Sequence, residues 1–580
     1  MLLYVLLFFF NKFPISNIDK FSCFLLTFVA SQLFMIAIET KPIIDYFKNK
    51  IRLFFILLIL YVSFASIGNY LFLNPVNITS ISNWLYLILF SFWIIPIIIS
   101  VLYLLEYFQS KIASETKNEI EDQRKKSLIW FLFFSICVIA GTLYLIAYNL
   151  AIMSFDSYDQ LKQAIGVTPL VNWHPVFHTL IIRLFISIIP SPSFVAIFQI
   201  LFFSTIISTF MVVLYNKGIK LKFLVVFCVM LTMIPTNGIH IVTLWKDIPY
   251  SISLLWLTLL FAKIISRDQL YTKSILFIIE ITLALICVYF FRQNGIVVYI
   301  FSVIALIIIF LKRNQFKPLW GIVFSLIIIL MIQFPLYKAL NVKSATQGSK
   351  YIGLLNDIAG VYFSRGDISK ETEDFLEKVV DIEEFRGTHS FYWADSQYYT
   401  PELHKIKSIE FIGMYIDTFL RNPVLMTNNI LCRLDMYWNI TKGKRGVINV
   451  INFTGCDCGS SGLKNIRIDR RPIFLTSYIN RISGFTVTYN PLLVIFWRFG
   501  IWIVFLFTTF LFVIKNKKFE ILLLGLPILT NILSLALSSG WMDYRYGWSI
   551  FITVPFVMLF SISYSPLIEK YMSEKVDTPK

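Results

Sequence analysis

Apolar residues dominate this chain in runs too long for the core of a water-soluble domain, and short charged tracts punctuate the runs. Stretches of roughly 17–25 apolar residues suit an α-helix that crosses a bilayer. They fall near 21–39, 52–74, 84–105, 128–151, 193–215, 221–236, 249–265, 274–291, 296–311, 319–335, 489–514, 520–538 and 549–566. The pattern predicts about 13 transmembrane helices, with the apolar start Met1 to Phe10 a partial fourteenth. That start lacks the basic opening and small-residue cleavage site of a signal peptide, and is read as retained.

The tracts Lys48-Asn49-Lys50-Ile51-Arg52, Arg124-Lys125-Lys126, Lys217-Gly218-Ile219-Lys220-Leu221-Lys222, Lys312-Arg313 and Lys515-Asn516-Lys517-Lys518 fall in alternate loops. Basic loops stay cytoplasmic, so one orientation satisfies every tract. The loops left outside are 153–192, 237–248, 292–295, 336–488 and 539–548, and they hold nearly all the unusual polar residues. Function is therefore expected on the extracytoplasmic face of the cell membrane.

Composition narrows the class further. Of 580 residues, 57% are hydrophobic and 15% charged, where a soluble protein carries about 25% charged. The net charge of +17 would fit nucleic acid only if the basic residues shared one soluble face. They are scattered between apolar runs, so no nucleic-acid partner is expected, and anionic membrane lipids are. Cys23, Cys137, Cys228 and Cys287 lie inside apolar runs as packing residues.

Four regions result: an N-terminal transmembrane extension (1–127), a transmembrane core (128–335) with its first outer loop at 153–192, a small extracytoplasmic domain (336–488), and C-terminal transmembrane helices with a tail (489–580). The mixed-charge stretch Ser114 to Ser127 predicts a cytoplasmic linking helix. In the outer domain charged residues and turn formers return; Ser369 to Arg386 predicts one acidic helix, and Arg421 through Trp438 an amphipathic helix resting on the membrane. Cys456-Asp457-Cys458 supplies two metal ligands of four, with Cys432 a candidate disulfide partner for either. Sequons stand at Asn77, Asn439 and Asn452, a pattern short enough to arise by chance.

Candidate chemistry concentrates in the outer loops. The first reads Ser154-Phe155-Asp156-Ser157-Tyr158-Asp159-Gln160 and later Asn172-Trp173-His174-Pro175-Val176-Phe177-His178. Asp156 follows directly on a long apolar helix, at the membrane surface. There it serves either as the cap of the next helix or as a general base. His174 and His178 have the spacing of a helical metal pair, but Pro175 places His174 outside the helix; loop hydrogen bonding and substrate contact are the other readings. The helix Val176 to Pro190 is short for a span and predicts an interfacial helix with Arg183 snorkelling. Leu244-Trp245-Lys246-Asp247-Ile248-Pro249 and Phe291-Arg292-Gln293-Asn294-Gly295 form short loops in which Lys246 and Arg292 stand where a lipid phosphate would lie, flanked by Asp247 and Asn294, with Gly295 permitting a turn. Glu280 lies inside an apolar run, and an intramembrane carboxylate suggests proton-coupled transport or a bond to a neighbouring helix.

A long first helix, the Asp156-Ser157 pair, the Asn172-Trp173-His174-Pro175 element and the juxtamembrane helix together resemble the C-type superfamily of multi-pass glycosyltransferases. The likeness is to a bacterial branch related to the protein mannosyltransferases and lipid A aminoarabinose transferases. It covers roughly residues 128–340 well and the C-terminal third loosely. The resemblance implies an outer-face enzyme with a polyprenyl-phosphate sugar donor and a glycan, lipid or protein acceptor. It implies Asp156 as catalytic base or metal-linked carboxylate, with Asp159 a near alternative and a divalent Mg or Mn ion an optional cofactor. In Gly540-Trp541-Met542-Asp543-Tyr544-Arg545-Tyr546-Gly547-Trp548, Arg545 matches an arginine these enzymes place near this position, for phosphate binding or for an ion pair with Asp543. The competing class is a transporter, lipid flippase or polysaccharide-handling protein without catalysis.

Overall fold

The computed structural model describes residues 123–148, 151–266, 269–344, 351–391, 400–438, 476–481, 497–538 and 543–563, with Leu102 and Leu105. The expected spans at 21–39 and 52–74, most of that at 84–105, the basic tract at 48–52, most of the 114–127 linker, Cys23, Cys456, Cys458 and the three sequons lie outside the described residues.

The described residues are helical, with two isolated bridges in place of a sheet. The membrane-sized elements are α1 (Gln123–Ala147), α4 (Pro192–Asn216), α7 (Asp247–Ile265), α9 (Gly295–Lys312), α10 (Leu319–Met331, prolonged by a π-helical turn Ile332–Leu336 and by Tyr337–Ala339), α17 (Leu526–Ser538, entered through a 3-10 turn Phe519–Gly525) and α18 (Tyr544–Ser563). Between them come α2 (Phe155–Ala164), α3 (Val176–Ile188), α5 (Leu221–Met233), α6 (Pro235–Ile241), α8 (Ile275–Phe290) and α16 (Phe499–Lys515). Among the described residues, seven helices are long and apolar enough to cross a membrane, or eight if α5 and α6 form one broken span. Over its described residues the chain is an all-helical polytopic membrane protein.

Every expected span from residue 128 onward falls on a helix, but three differ from a simple crossing. The 221–236 run bends by 64° between α5 and α6. Pro235 follows Ile234, which is forced into extended geometry (φ −61°, ψ 126°) and ends the helix there. The break leaves carbonyls without partners, and Tyr144 donates to that of Met233 at 2.9 Å. The other two, α8 and α16, have 16 and 17 residues, and lie at the short limit of a crossing.

α7 and α18 are almost wholly enclosed, whereas α10 turns most of its side chains outward. At one end of the bundle Arg313 donates to the Ile264 carbonyl at 2.6 Å and pairs with Glu520 at 3.3 Å, while Lys217 stands over the Phe560 ring. The expected basic tracts around Lys217, Lys312 and Lys515 thus share one end, and the candidate loops gather at the other. Glu280 is not free: Lys263 near the end of α7 pairs with it at 2.8 Å and donates to Tyr271.

Gly295 is needed for a different reason than a turn. A Cβ there would stand 2.0 Å from the Val288 carbonyl oxygen, where α9 meets α8. Gly295→Ala must push backbone apart; overpacking of this kind costs about 1–3 kcal/mol or more. The unfolding midpoint of the detergent-purified variant should fall accordingly.

Residues 351–438 form a second small core. It comprises α11 (Ile352–Phe363), α12 (Lys370–Val379), α13 (Ile382–Thr388) and α14 (Ser408–Arg421), packed around Leu355, Ile358, Leu376, Phe385 and Phe411, while α15 (Pro423–Arg433) lies against α11 and joins the main core through Leu431. The expected single acidic helix is two, because Asp381 caps a new start by accepting from Glu383 and Glu384 N–H at 3.0 and 3.1 Å. Of the segment expected to rest on the membrane, the inner side of α15 packs into protein instead: Met426, Asn428, Asn429, Leu431, Cys432 and Arg433 are buried. Arg433 pairs with buried Asp357 at 2.7 Å and also donates to the Ala536 carbonyl at 3.1 Å, joining this unit to α17. A second buried pair, Arg498–Asp435 at 3.0 Å, ties the residues after α15 to the start of α16.

Candidate functional site

The loop that opens with Asp156 is held by the chain around Trp245. Ile152 N–H donates to Val242 O and Leu244 N–H to Ile152 O, both at 3.0 Å, in a parallel bridge. Ser154, the N-cap of α2, accepts from the Trp245 indole at 2.7 Å, and the Ser157 hydroxyl donates to Leu244 O at 2.8 Å while accepting from Ser154 N–H at 3.1 Å. Capping is thus done by the serines. Asp156, in the first turn of α2, is left for another partner.

That partner is Arg545 in the first turn of α18. Its Nη1 donates to Asp156 Oδ2 at 2.7 Å across 389 residues of sequence. Its Nε lies 2.9 Å from Asp543 Oδ2 and 3.7 Å from Asp247 Oδ2, and its Nη2 donates to the Tyr546 hydroxyl at 3.2 Å. Arg292 approaches the same carboxylate from the other side, with Nη1 at 3.2 Å from Asp247 Oδ1. Both guanidiniums lie against rings, Arg292 over Tyr546 at 4.1 Å and Arg545 over Trp245 at 5.0 Å. Asp247, with a side chain 0% exposed, is the bridge that holds the two arginines side by side. The sequence marks it as a ligand contact; its burial makes it a positioning residue.

Lys246 completes the cationic group. Its ammonium donates to His174 Nδ1 at 2.7 Å, which leaves the imidazole proton on Nε2, facing Asp159 Oδ2 at 3.6 Å. Burial and the neighbouring ammonium hold His174 well below the usual histidine range, so it is neutral. Burial likewise lowers Lys246, opposed by Asp156 and Asp247. Burial pushes the Asp156 carboxyl up, but the Arg545 and Lys246 charges overrule it and hold it well below the usual carboxylate range. Asp156 is a stable anion, 30% exposed, at the edge of an otherwise sealed cluster.

Three cations (Lys246, Arg292, Arg545) thus balance three carboxylates (Asp156, Asp247, Asp543). The N-terminal ends of α2, α7 and α18 lie at the cluster, and their helix dipoles add positive potential.

Two candidates fall outside the cluster. His178 is sealed in α3, bonded to Gln160 at 3.1 Å and edge-on to Phe291, and burial pushes it down to about 3. Asn294 spends its amide on Ser534 of α17 at 2.8 Å. Arg183 does not snorkel: it donates to the carbonyls of Ala164 and Gln163 at 2.7 and 3.2 Å, capping the C-terminus of α2. Sequence reasoning missed Tyr250, Trp245 and Tyr546 as ring partners, since aromatics at helix ends are common in any membrane protein. Among the described residues no group of three or more His, Cys, Asp or Glu side chains could hold a metal ion. Asp156 Oδ2 is engaged by Arg545, so this donor set does not fit a Mg or Mn centre.

No family model, curated protein or solved structure matches this chain. What the fold and the cluster define is a polytopic membrane protein with a buried, charge-balanced polar centre at one end of its helical bundle.

Proposed function

We propose that this protein is a membrane glycosyltransferase of the C-type kind, moving a sugar from a polyprenyl phosphate to a glycan, lipid or protein acceptor on the extracytoplasmic side. The observation that carries the reading is the 2.7 Å contact of Asp156 with Arg545, with Arg292 and Lys246 drawn into the same cluster from two other loops. A carrier lipid keeps its chain in the bilayer and its phosphate at a helix end, where these cations lie.

In this mechanism the acceptor hydroxyl oxygen attacks the anomeric carbon and the carbon–oxygen bond to phosphate breaks. The electron pair stays on the phosphate oxygen, and the hydroxyl proton passes to Asp156. A carboxylate held this acidic is a weak base, so its main work is to accept a hydrogen bond from the acceptor and aim it. Arg545, Arg292 and Lys246 neutralise the departing phosphate, with the guanidiniums already fixed by Asp247. Attack opposite the leaving group inverts the anomeric centre.

The test is transfer of labelled sugar from polyprenyl-phosphate donors in proteoliposomes holding the full chain; no transfer with any donor offered rejects the reading. Arg545→Lys keeps the charge and loses the fork. Each charge-assisted bond given up costs about 1.5–3 kcal/mol, so kcat/KM should fall by at least the tenfold that 1.4 kcal/mol represents. The competing reading, transport or lipid flipping without chemistry, drew on Glu280, which Lys263 neutralises. Glu280→Gln should leave transfer at the wild-type rate. If it abolishes movement of a lipid-linked sugar while Asp156→Asn does not, transport is the function.

A further inference from the structure

The inward side of α14 is fully used: Phe411, Met414 and Thr418 are buried in the small core of residues 351–438. Its opposite side carries a second apolar stripe, Ile409, Ile412, Ile416 and Leu420, at the i, i+3, i+7, i+11 spacing of one helical face. Ile409 is 80% and Leu420 73% exposed. Exposed Val424 of α15 continues the stripe past the break at Asn422. A soluble domain would not carry such a stripe bare.

We infer that α14 is a membrane-surface helix whose outward stripe is seated at the headgroup–acyl boundary of the bilayer that α10 and α17 cross. Both of its ends are moored near span ends. At the start, the Tyr351 hydroxyl bonds that of Ser408. Tyr351 follows shortly after Lys343, whose N–H donates to Leu170 O at 2.9 Å just beyond the end of the α10 crossing. At the finish, α14 turns into α15, 11 residues long or about 16 Å at 1.5 Å per residue. The last residue of α15, Arg433, is bonded to Ala536 in the closing turn of α17. Exposed Lys405, Lys407 and Arg421 border the stripe in surface pairs, with Glu402, with Glu410, and with Asp417 and Asp367, that a lipid phosphate can replace. Basic flanks around an apolar face are what an interfacial helix needs. The inference is independent of the catalytic reading.

The test places a diazirine-bearing amino acid at position 412 or 416 of the full chain in nanodiscs of phosphatidylethanolamine and phosphatidylglycerol, with the exposed Glu377 position of α12 as reference. After illumination, phospholipid adducts should exceed those at 377 several-fold. Lipid adducts no higher than at 377 overturn the inference. So do adducts that join 412 or 416 to the segment 1–122 or to a second copy of the chain, which would make the stripe a protein interface.

Discussion

Asp156→Asn is expected to lower sugar transfer by about 10–10²-fold, the worth of the charge-assisted hydrogen bond of about 1.5–3 kcal/mol that it forms with the acceptor, while the protein stays folded. The side chain is part-exposed, α2 is capped by Ser154 and Ser157, and Arg545 keeps Asp543 at 2.9 Å. Initial rates in proteoliposomes, with an unchanged elution profile in detergent, check both halves; wild-type rates would remove Asp156 from the mechanism. The pH profile separates roles further. A carboxylate depressed in the folded state contributes above its ordinary value and is lost only as pH falls through the lower one. Asp156 therefore stays charged from about pH 5 upward, against an unperturbed value of about 3.9. Wild-type rates should show no acid limb from this residue in that range.

The largest effect on stability is expected from Arg433→Ala. The change leaves Asp357, 0% exposed, as a buried charge without its guanidinium, and also frees the Ala536 carbonyl. Breaking a buried pair on one side typically costs about 3–5 kcal/mol. The unfolding midpoint in detergent should drop sharply. Replacing both members by apolar residues of similar size, Asp357→Leu with Arg433→Met, should recover most of the loss, because desolvation of two ions offsets much of their attraction. A double variant as unstable as the single one would show that the bond to Ala536, rather than the ion pair, dominates.

The spans were legible because length and hydropathy alone decide whether a helix can cross. Their ends were less legible: the cap of α2 is sought in Asp156 and is Ser154, and the break at Pro235 is internal. The cluster was half legible. Asp156, Lys246, Arg292 and Arg545 stood out as charges at the mouths of apolar runs, yet their pairing is tertiary. Nothing local distinguishes Arg545 bound to Asp156 from Arg545 bound only to Asp543. Arg433 and Asp435 misled for a related reason. Charges beside Leu431 and Leu434 suit a helix lying on a membrane, and equally a helix buried with its charges paired; the partners Asp357 and Arg498 lie 76 and 63 residues away. The stripe on α14 was overlooked because its two apolar faces blur the periodicity that a one-sided helix shows.

The 389-residue gap between Asp156 and Arg545 also bears on biogenesis. Synthesis runs from the N-terminus, so Asp156 emerges long before α18 supplies the guanidinium that pairs with it. Until α18 inserts, Lys246 and Arg292 match Asp156 and Asp247 in number, and Asp156 waits without the cation it touches in the finished fold.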